Sequence, residues 1–119
     1  MKTKEEIRSF AEREKAMADQ QLAAWAEMAR TAPWQALDSA EGAAEMYERL
    51  CVARAALKGT APDCKASPDT LLDHAQNTAR VWCASQTRST AILERSRVHA
   101  RAAAWMRLAH FIETGSEEL

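Results

Sequence analysis

The chain has 119 residues, with 16 Lys and Arg against 17 Asp and Glu, so its net charge is −1 at pH 7. This length fits one domain, and the charge lacks the positive excess of most nucleic-acid or anionic-membrane binders. No apolar run approaches the roughly 20 residues that cross a bilayer. The segment MKTKEEIRSF has no hydrophobic signal region, and three cysteines favour a reducing, cytoplasmic setting.

The apolar composition is dominated by small side chains. Alanine occupies 26 positions, whereas Leu, Ile, Val and Phe together occupy only 17. Alanine has high helix propensity, and its small side chain lets helices approach closely. The composition predicts closely packed helices with a thin core, which would make association as a homodimer favourable.

The first helix is predicted over residues 3–31. Thr3 and Glu6 have the spacing of a capping box, in which two otherwise unpaired backbone amides are satisfied. Apolar residues then recur at helical spacing from Ile7 to Met28, with Glu14 as a polar interruption. Pro33 marks the boundary after this helix.

A second helix is predicted over residues 38–58. Asp38 and Glu41 have the spacing of a second capping box. Gly59 suits the position just beyond a helix end, and Pro62 follows shortly after. Residues 59–67 are therefore expected to form a loop.

The third helical region is predicted over residues 68–114, because Ser67 can cap a helix and Pro68 suits its first turn. Residues 84–90 include several poor helix formers and are the expected position of a kink or break. The sequence does not decide whether residues 68–114 form one helix or two. The predicted fold is therefore all-α: a single domain formed by an antiparallel bundle of three to four helices with a long C-terminal helix.

Residues 97–111, RVHARAAAWMRLAHF, are apolar around most of a helix circumference. Only a narrow strip through Ser96, Ala100 and Arg107 is left for water on a helical projection. Such a helix is typically central in a bundle or covered by another protein. The residues expected to form an interaction face, including an aromatic anchor in the first connection, are Arg97, Arg101, Leu108, Phe111 and Trp34.

A nucleic-acid interface is the second interpretation of this region. Six arginines and one acidic residue lie between His74 and Ile112, and guanidinium groups suit phosphate contacts. These arginines project in several directions, however, whereas duplex binding requires them on one side. They are better balanced, within or between subunits, by an acidic face consisting of Asp38, Glu41, Glu45 and Glu48.

The sequence contains no recognisable catalytic or metal-binding motif. His99 and His110 lie about 16 Å apart along a helix, too far to share one ion. Cys64 lies in the predicted loop without an orienting motif. We expect no enzyme activity, cofactor or metal, and a metal- or cofactor-binding bundle is only the third interpretation.

The tryptophans indicate where the core should lie. Trp25, Trp82 and Trp105 occupy mid-helix positions and are expected to form much of it. Trp34 is expected either to cover one end of the bundle or to stand exposed as a binding anchor. The function predicted from the sequence is that of a small, non-enzymatic regulator, adaptor or inhibitor that binds another protein through helical faces and forms a homodimer.

Overall fold

The fold is all-α. The computed structural model describes the backbone of residues 1–88 and 92–117 and the side chains of residues 1–85 and 94–117. Within these ranges the chain forms five helices and no strand. The helices are α1 (Lys4–Thr31), α2 (Pro33–Asp38), α3 (Ala40–Gly59), α4 (Pro68–Arg88) and α5 (Ile92–Thr114). The predicted all-α bundle is confirmed.

The four long helices alternate in direction along the chain. Arg8 and Glu14 of α1 contact Leu57 and Arg49 of α3, respectively, so these two helices are antiparallel. Gln76 contacts Glu113 and Trp82 contacts Arg101, so α4 and α5 are also antiparallel. The two pairs meet mainly along α3 and α5, which run parallel. None of the helices in the described part of the chain has an apolar stretch sufficient to traverse a lipid bilayer.

The predicted 68–114 region is two helices rather than one. Helix α4 ends at Arg88, α5 begins at Ile92, and the two pack side by side. Of the residues 84–90 expected to form the break, 84–88 belong to the last turns of α4, and 89 and 90 lie outside the described residues.

Helix ends follow the predicted capping at two positions and depart from it at a third. The Thr3–Glu6 capping box is present, and the Ser67 hydroxyl accepts the backbone N–H of Thr70 at 3.2 Å. The predicted Asp38–Glu41 box is wrong. Asp38 ends the short helix α2, and Ser39 links the two helices alone: its N–H donates to Gln35 and its carbonyl accepts the N–H of Ala43.

The core is built largely of alanine. Among the described residues, eleven of the twenty buried apolar side chains are alanines. The larger members are concentrated where α1 meets α5. There the rings of Phe10 and Phe111 stack with centroids 4.2 Å apart, and Ile7 and Ile112 are fully buried. Alanine contacts bring the helices close together, as the composition predicted.

The tryptophans lie at the margins of the core, in contrast to the prediction. Trp25, Trp82 and Trp105 are each half-buried, and Trp105 packs against the edge of the apolar cluster. The indole N–H of Trp25 donates to the carbonyl of Ala36 at 2.9 Å. Helices separated by alanine leave little room for an indole ring between them, so these rings cover the junctions from outside.

The exposed strip of α5 also differs from the helical projection. Ala100 is buried and Arg107 is half-buried, whereas His99 and Met106 are exposed. The exposed strip of α5 therefore passes through His99 and Met106, on a side of the helix that was expected to be covered. The reason is that α5 packs between α3 and α4, and this arrangement is not encoded in the apolar pattern of α5 alone.

Candidate functional site

The outer face of α2 carries the most exposed aromatic side chain in the described part of the protein. Trp34 is 80% exposed and Leu37 is 64% exposed. They are three positions apart and therefore share one face of the helix. We call this pair the α2 ridge. Of the two positions expected for Trp34, the structure shows the exposed one. Trp34 does not cover the end of the bundle.

Contacts on the opposite side of α2 hold the α2 ridge in place. Ala36, on the opposite side of α2, is 2% exposed and accepts the hydrogen bond from the Trp25 indole. Pro33 occupies the first helical turn, where its ring restricts the backbone. The N–H of Ala32 donates to the carbonyl of Met28 at 2.6 Å and closes the end of α1. These contacts hold α2 against α1 and leave its apolar side uncovered.

Carboxylates follow the α2 ridge along the chain, at the end of α2 and in the first two turns of α3. Asp38, Glu41 and Glu45 of the predicted acidic face are all exposed, and no cation in the described part of the chain pairs with them. The nearest cation along α1, Arg30, is engaged with Glu27 at 2.6 Å. The exposed residues that follow the ridge therefore carry a net negative charge.

The fourth member of the acidic face has a different role. Glu48 is 6% exposed and pairs with Arg101 of α5, which lies with its guanidinium carbon 4.3 Å from the ring centroid of Trp82. The hydrogen bond to Glu48 raises the pKa of Arg101. The predicted matching of acidic and basic side chains thus occurs here within the chain.

The predicted interaction face on α5 is not a surface. Leu108 is 4% exposed and Phe111 is 5% exposed, and both belong to the apolar core. Arg101 is occupied by Glu48, so Arg97 is the exposed member of the α5 set. The periodicity of α5 identifies an apolar face that must be buried, but it does not identify what buries that face. The sequence alone therefore cannot distinguish a face that packs inside the bundle from one that binds another protein.

A second ion-pair cluster lies inside the bundle. Glu14 is 9% exposed and accepts hydrogen bonds from Arg49, the shortest 2.8 Å long, and from Arg107. Burial lowers the pKa of Arg107, and its ring neighbour is Phe10. The space beside this cluster measures about 10 Å³, too small for a substrate. The cluster therefore joins α1, α3 and α5 and has no room for chemistry on another molecule.

Two larger spaces were not anticipated from the sequence. A groove of about 370 Å³ runs along the outer side of α4 and α5, and its lining includes Cys83, Met106 and His110. A more enclosed, mainly apolar cavity of about 210 Å³ lies between α3, α4 and α5. The sequence signal for the cavity is the small-residue end of α3, at Ala55, Ala56 and Gly59, but its opposite walls come from distant parts of the chain.

The histidines and cysteines have different surroundings in the described part of the chain. No cluster of three or more His, Cys, Asp or Glu side chains suited to a metal ion occurs among the described residues. His74 contacts the edge of Trp105, His99 is exposed, and His110 lies near Thr114. Cys64 is half-buried, with its carbonyl accepting a hydrogen bond from Lys4.

Comparisons with known proteins yield no family model, no curated protein and no solved structure that matches the chain.

Proposed function

We propose that the protein is a non-enzymatic regulator, adaptor or inhibitor that acts in the cytoplasm by binding another protein through the α2 ridge. The observation that carries the proposal is the 80% exposure of Trp34 on a helix fixed from behind by Trp25. Tryptophan is enriched among residues that dominate binding energy at protein interfaces. An anchor held in place before binding loses less conformational freedom when the complex forms.

The chemistry of the partner follows from the surroundings of the ridge. Trp34 and Leu37 require an apolar pocket or groove on the partner. The exposed carboxylates of Asp38, Glu41 and Glu45 favour lysine or arginine side chains around that pocket, because complementary charge speeds and orients association.

The nucleic-acid alternative receives less support from the positions of the arginines. Arg101 and Arg107 are held in ion pairs with Glu48 and Glu14. Arg95 and Arg97 are exposed near the start of α5. Arg80 of α4 is exposed as well. Arg95 and Arg97 are two positions apart and therefore do not face the same side of α5, whereas a duplex engages several phosphates on one side of a protein.

The binding test compares substitutions of similarly exposed side chains on the α2 ridge and away from it. Leu37 and Val81 are 64% and 61% exposed, respectively. Trp34→Ala and Leu37→Ala should each abolish capture of a partner from a native lysate, whereas Val81→Ala should retain it. Purified partner should then bind the Trp34→Ala variant at least about 30-fold more weakly, as expected for an interface anchor. Equal binding by wild type and both ridge variants would overturn the proposal.

Homodimer formation is the second part of the proposal. Met106 is 45% exposed beside the groove of α4 and α5, so a second copy could cover this face. Light scattering at ~100 μM, a concentration that populates even weak dimers, should give twice the chain mass of 13.2 kDa. A mass of one chain at that concentration would reject the dimer and leave the α2 ridge proposal standing.

A further inference from the structure

The cavity between α3 and α4 arises because these two helices do not pack along their lengths. Within the described residues, α3 and α4 each pack on α5 instead. They approach closely at one end, where Gly59 lies under Leu71: a Cβ atom added to Gly59 would lie 2.5 Å from Leu71 Cδ2. This contact closes one side of a space bounded by both helices and floored by α5.

Small residues on α3 create the volume of the cavity. Ala55, Ala56 and Gly59 form the α3 wall, so no side chain longer than a methyl group enters from that side. The floor and the remaining walls are largely apolar and consist of Ile7, Leu71, His74, Trp105, Leu108 and Ile112. The cavity therefore favours an apolar occupant.

The volume of the cavity limits the size of that occupant. An apolar cavity of about 150 Å³ in another protein binds benzene, and the space here is about 210 Å³. Pockets for drug-sized ligands start at about 300 Å³. A single six-membered ring with one or two substituents fits between these limits, whereas a nucleotide or a haem does not.

One polar group lies at the cavity. His74 contacts the edge of Trp105 with ring centroids 5.3 Å apart, and its ring nitrogens form no hydrogen bond within the described part of the chain. His74 itself is exposed, so it marks the mouth of the cavity. An imidazole there can donate or accept one hydrogen bond while the rest of the ligand remains in the apolar interior.

We propose that this cavity is a binding site for a small monocyclic aromatic molecule bearing one hydroxyl group, with the ring against Trp105 and Leu108 and the hydroxyl on His74. The site lies at a different place from the α2 ridge, so the two proposals stand or fall separately.

The test uses phenol and benzene as probes on the full chain. Titration followed by the Trp105 indole N–H resonance should show saturable phenol binding with a dissociation constant on the order of 1 mM, a modest affinity for so small a ligand. His74→Leu should weaken phenol binding about fivefold, the effect of one ordinary hydrogen bond, and leave benzene binding unchanged. An equal loss for both probes would overturn the role of the hydroxyl.

Cavity filling gives the second arm. Ala55→Leu should weaken both probes at least about tenfold, because its side chain occupies the ligand space, while Ala26→Leu on the exposed side of α1 should bind like wild type. Ala55→Val, which adds less volume, serves if the leucine variant does not fold. Wild-type affinity in a folded, filled variant, or no saturable binding to wild type by ~20 mM phenol, would overturn the site.

Discussion

Arg101 donates two parallel hydrogen bonds to Glu48, from Nε to Oε2 and from Nη2 to Oε1, both 3.0 Å long. The pair links α3 to α5. Glu48 is nearly inaccessible to water, whereas the Arg101 side chain is 35% exposed. Removing either partner therefore has unequal consequences, because an unpaired carboxylate would remain buried but an unpaired guanidinium could turn toward solvent.

We expect Arg101→Ala to lower the free energy of unfolding by about 2 kcal/mol. The value lies below the range for fully buried pairs because Arg101 retains partial solvent contact. Arg101→Lys should fall between wild type and the alanine variant, since lysine keeps the charge and loses the two-pronged geometry. Urea denaturation checks both, with the exposed Arg95→Ala as control. An effect of Arg101→Ala no larger than that of the control would contradict this prediction.

The Glu14 cluster should respond more strongly to loss of its acid than to loss of one base. Glu14→Gln leaves Arg49 and Arg107 facing each other without a shared carboxylate, and we expect a loss of about 3 kcal/mol. Arg49→Met should cost less, because Glu14 still pairs with Arg107. Denaturant midpoints in the opposite order would show that the cluster is not centred on Glu14.

Trp105 and Trp34 should differ in their contributions to stability. Trp105 packs against the core but is half-buried, so Trp105→Ala should cost about 2–4 kcal/mol, near the lower end for large aromatic truncations. Trp34→Ala should cost less than about 0.5 kcal/mol, as expected for an exposed position. Thermal unfolding of the two variants provides the measurement, and equal midpoints would place the core elsewhere.

The pH dependence of stability should include a contribution from Glu6. Its hydrogen bonds to Lys2 and to the backbone N–H of Thr3 hold the pKa of Glu6 below the ordinary value of 4.5. The ionised carboxylate therefore stabilises the folded state above that value, and the contribution disappears as pH falls through the lowered pKa. Glu6→Gln should flatten the stability curve at acidic pH.

An NMR titration of the Glu6 side chain tests the cause directly. In the Lys2→Ala variant, the pKa of Glu6 should move up toward 4.5, because the largest stabilising contact of the carboxylate is gone. An unchanged midpoint in Lys2→Ala would assign the effect to the capping hydrogen bond alone.

Several helix ends were predictable because their signals are local. Thr3, Glu6 and Ser67 satisfy amides within a few positions of themselves, so spacing alone predicts the contact. The run of weak helix formers at residues 84–90 lies near the end of α4, but residues 84–88 are still helical, so the run did not fix the position of the break. The short helix α2 and the start of α3 at Ala40 were missed, because Ser39 closes one helix and opens the next through backbone groups, which carry no residue-specific signal.

The packing partners of each face were not predictable from periodicity. Glu14 could be seen as a polar residue in an apolar stripe, but its partners Arg49 and Arg107 lie 35 and 93 positions away. The α5 stripe containing Leu108 and Phe111 was correctly apolar, yet it fills this chain's own core. The position of the α2 ridge was not predictable from periodicity either, because it depends on a tertiary contact, the hydrogen bond from Trp25 to Ala36.

At the alanine-lined junction of α3 and α5, a substitution that enlarges a side chain should destabilise the fold more than one that shortens it. Ala53, Ala56 and Ala104 are each at most 6% exposed, so truncation has little left to remove. Added atoms instead force the helices apart, at a cost of about 1–3 kcal/mol for an overpacked site. Alanine codons reach valine or threonine by one nucleotide change. Inherited damage at this junction should therefore arise mainly from substitutions that enlarge a side chain, and a second substitution that shortens a neighbouring larger side chain should restore part of the stability.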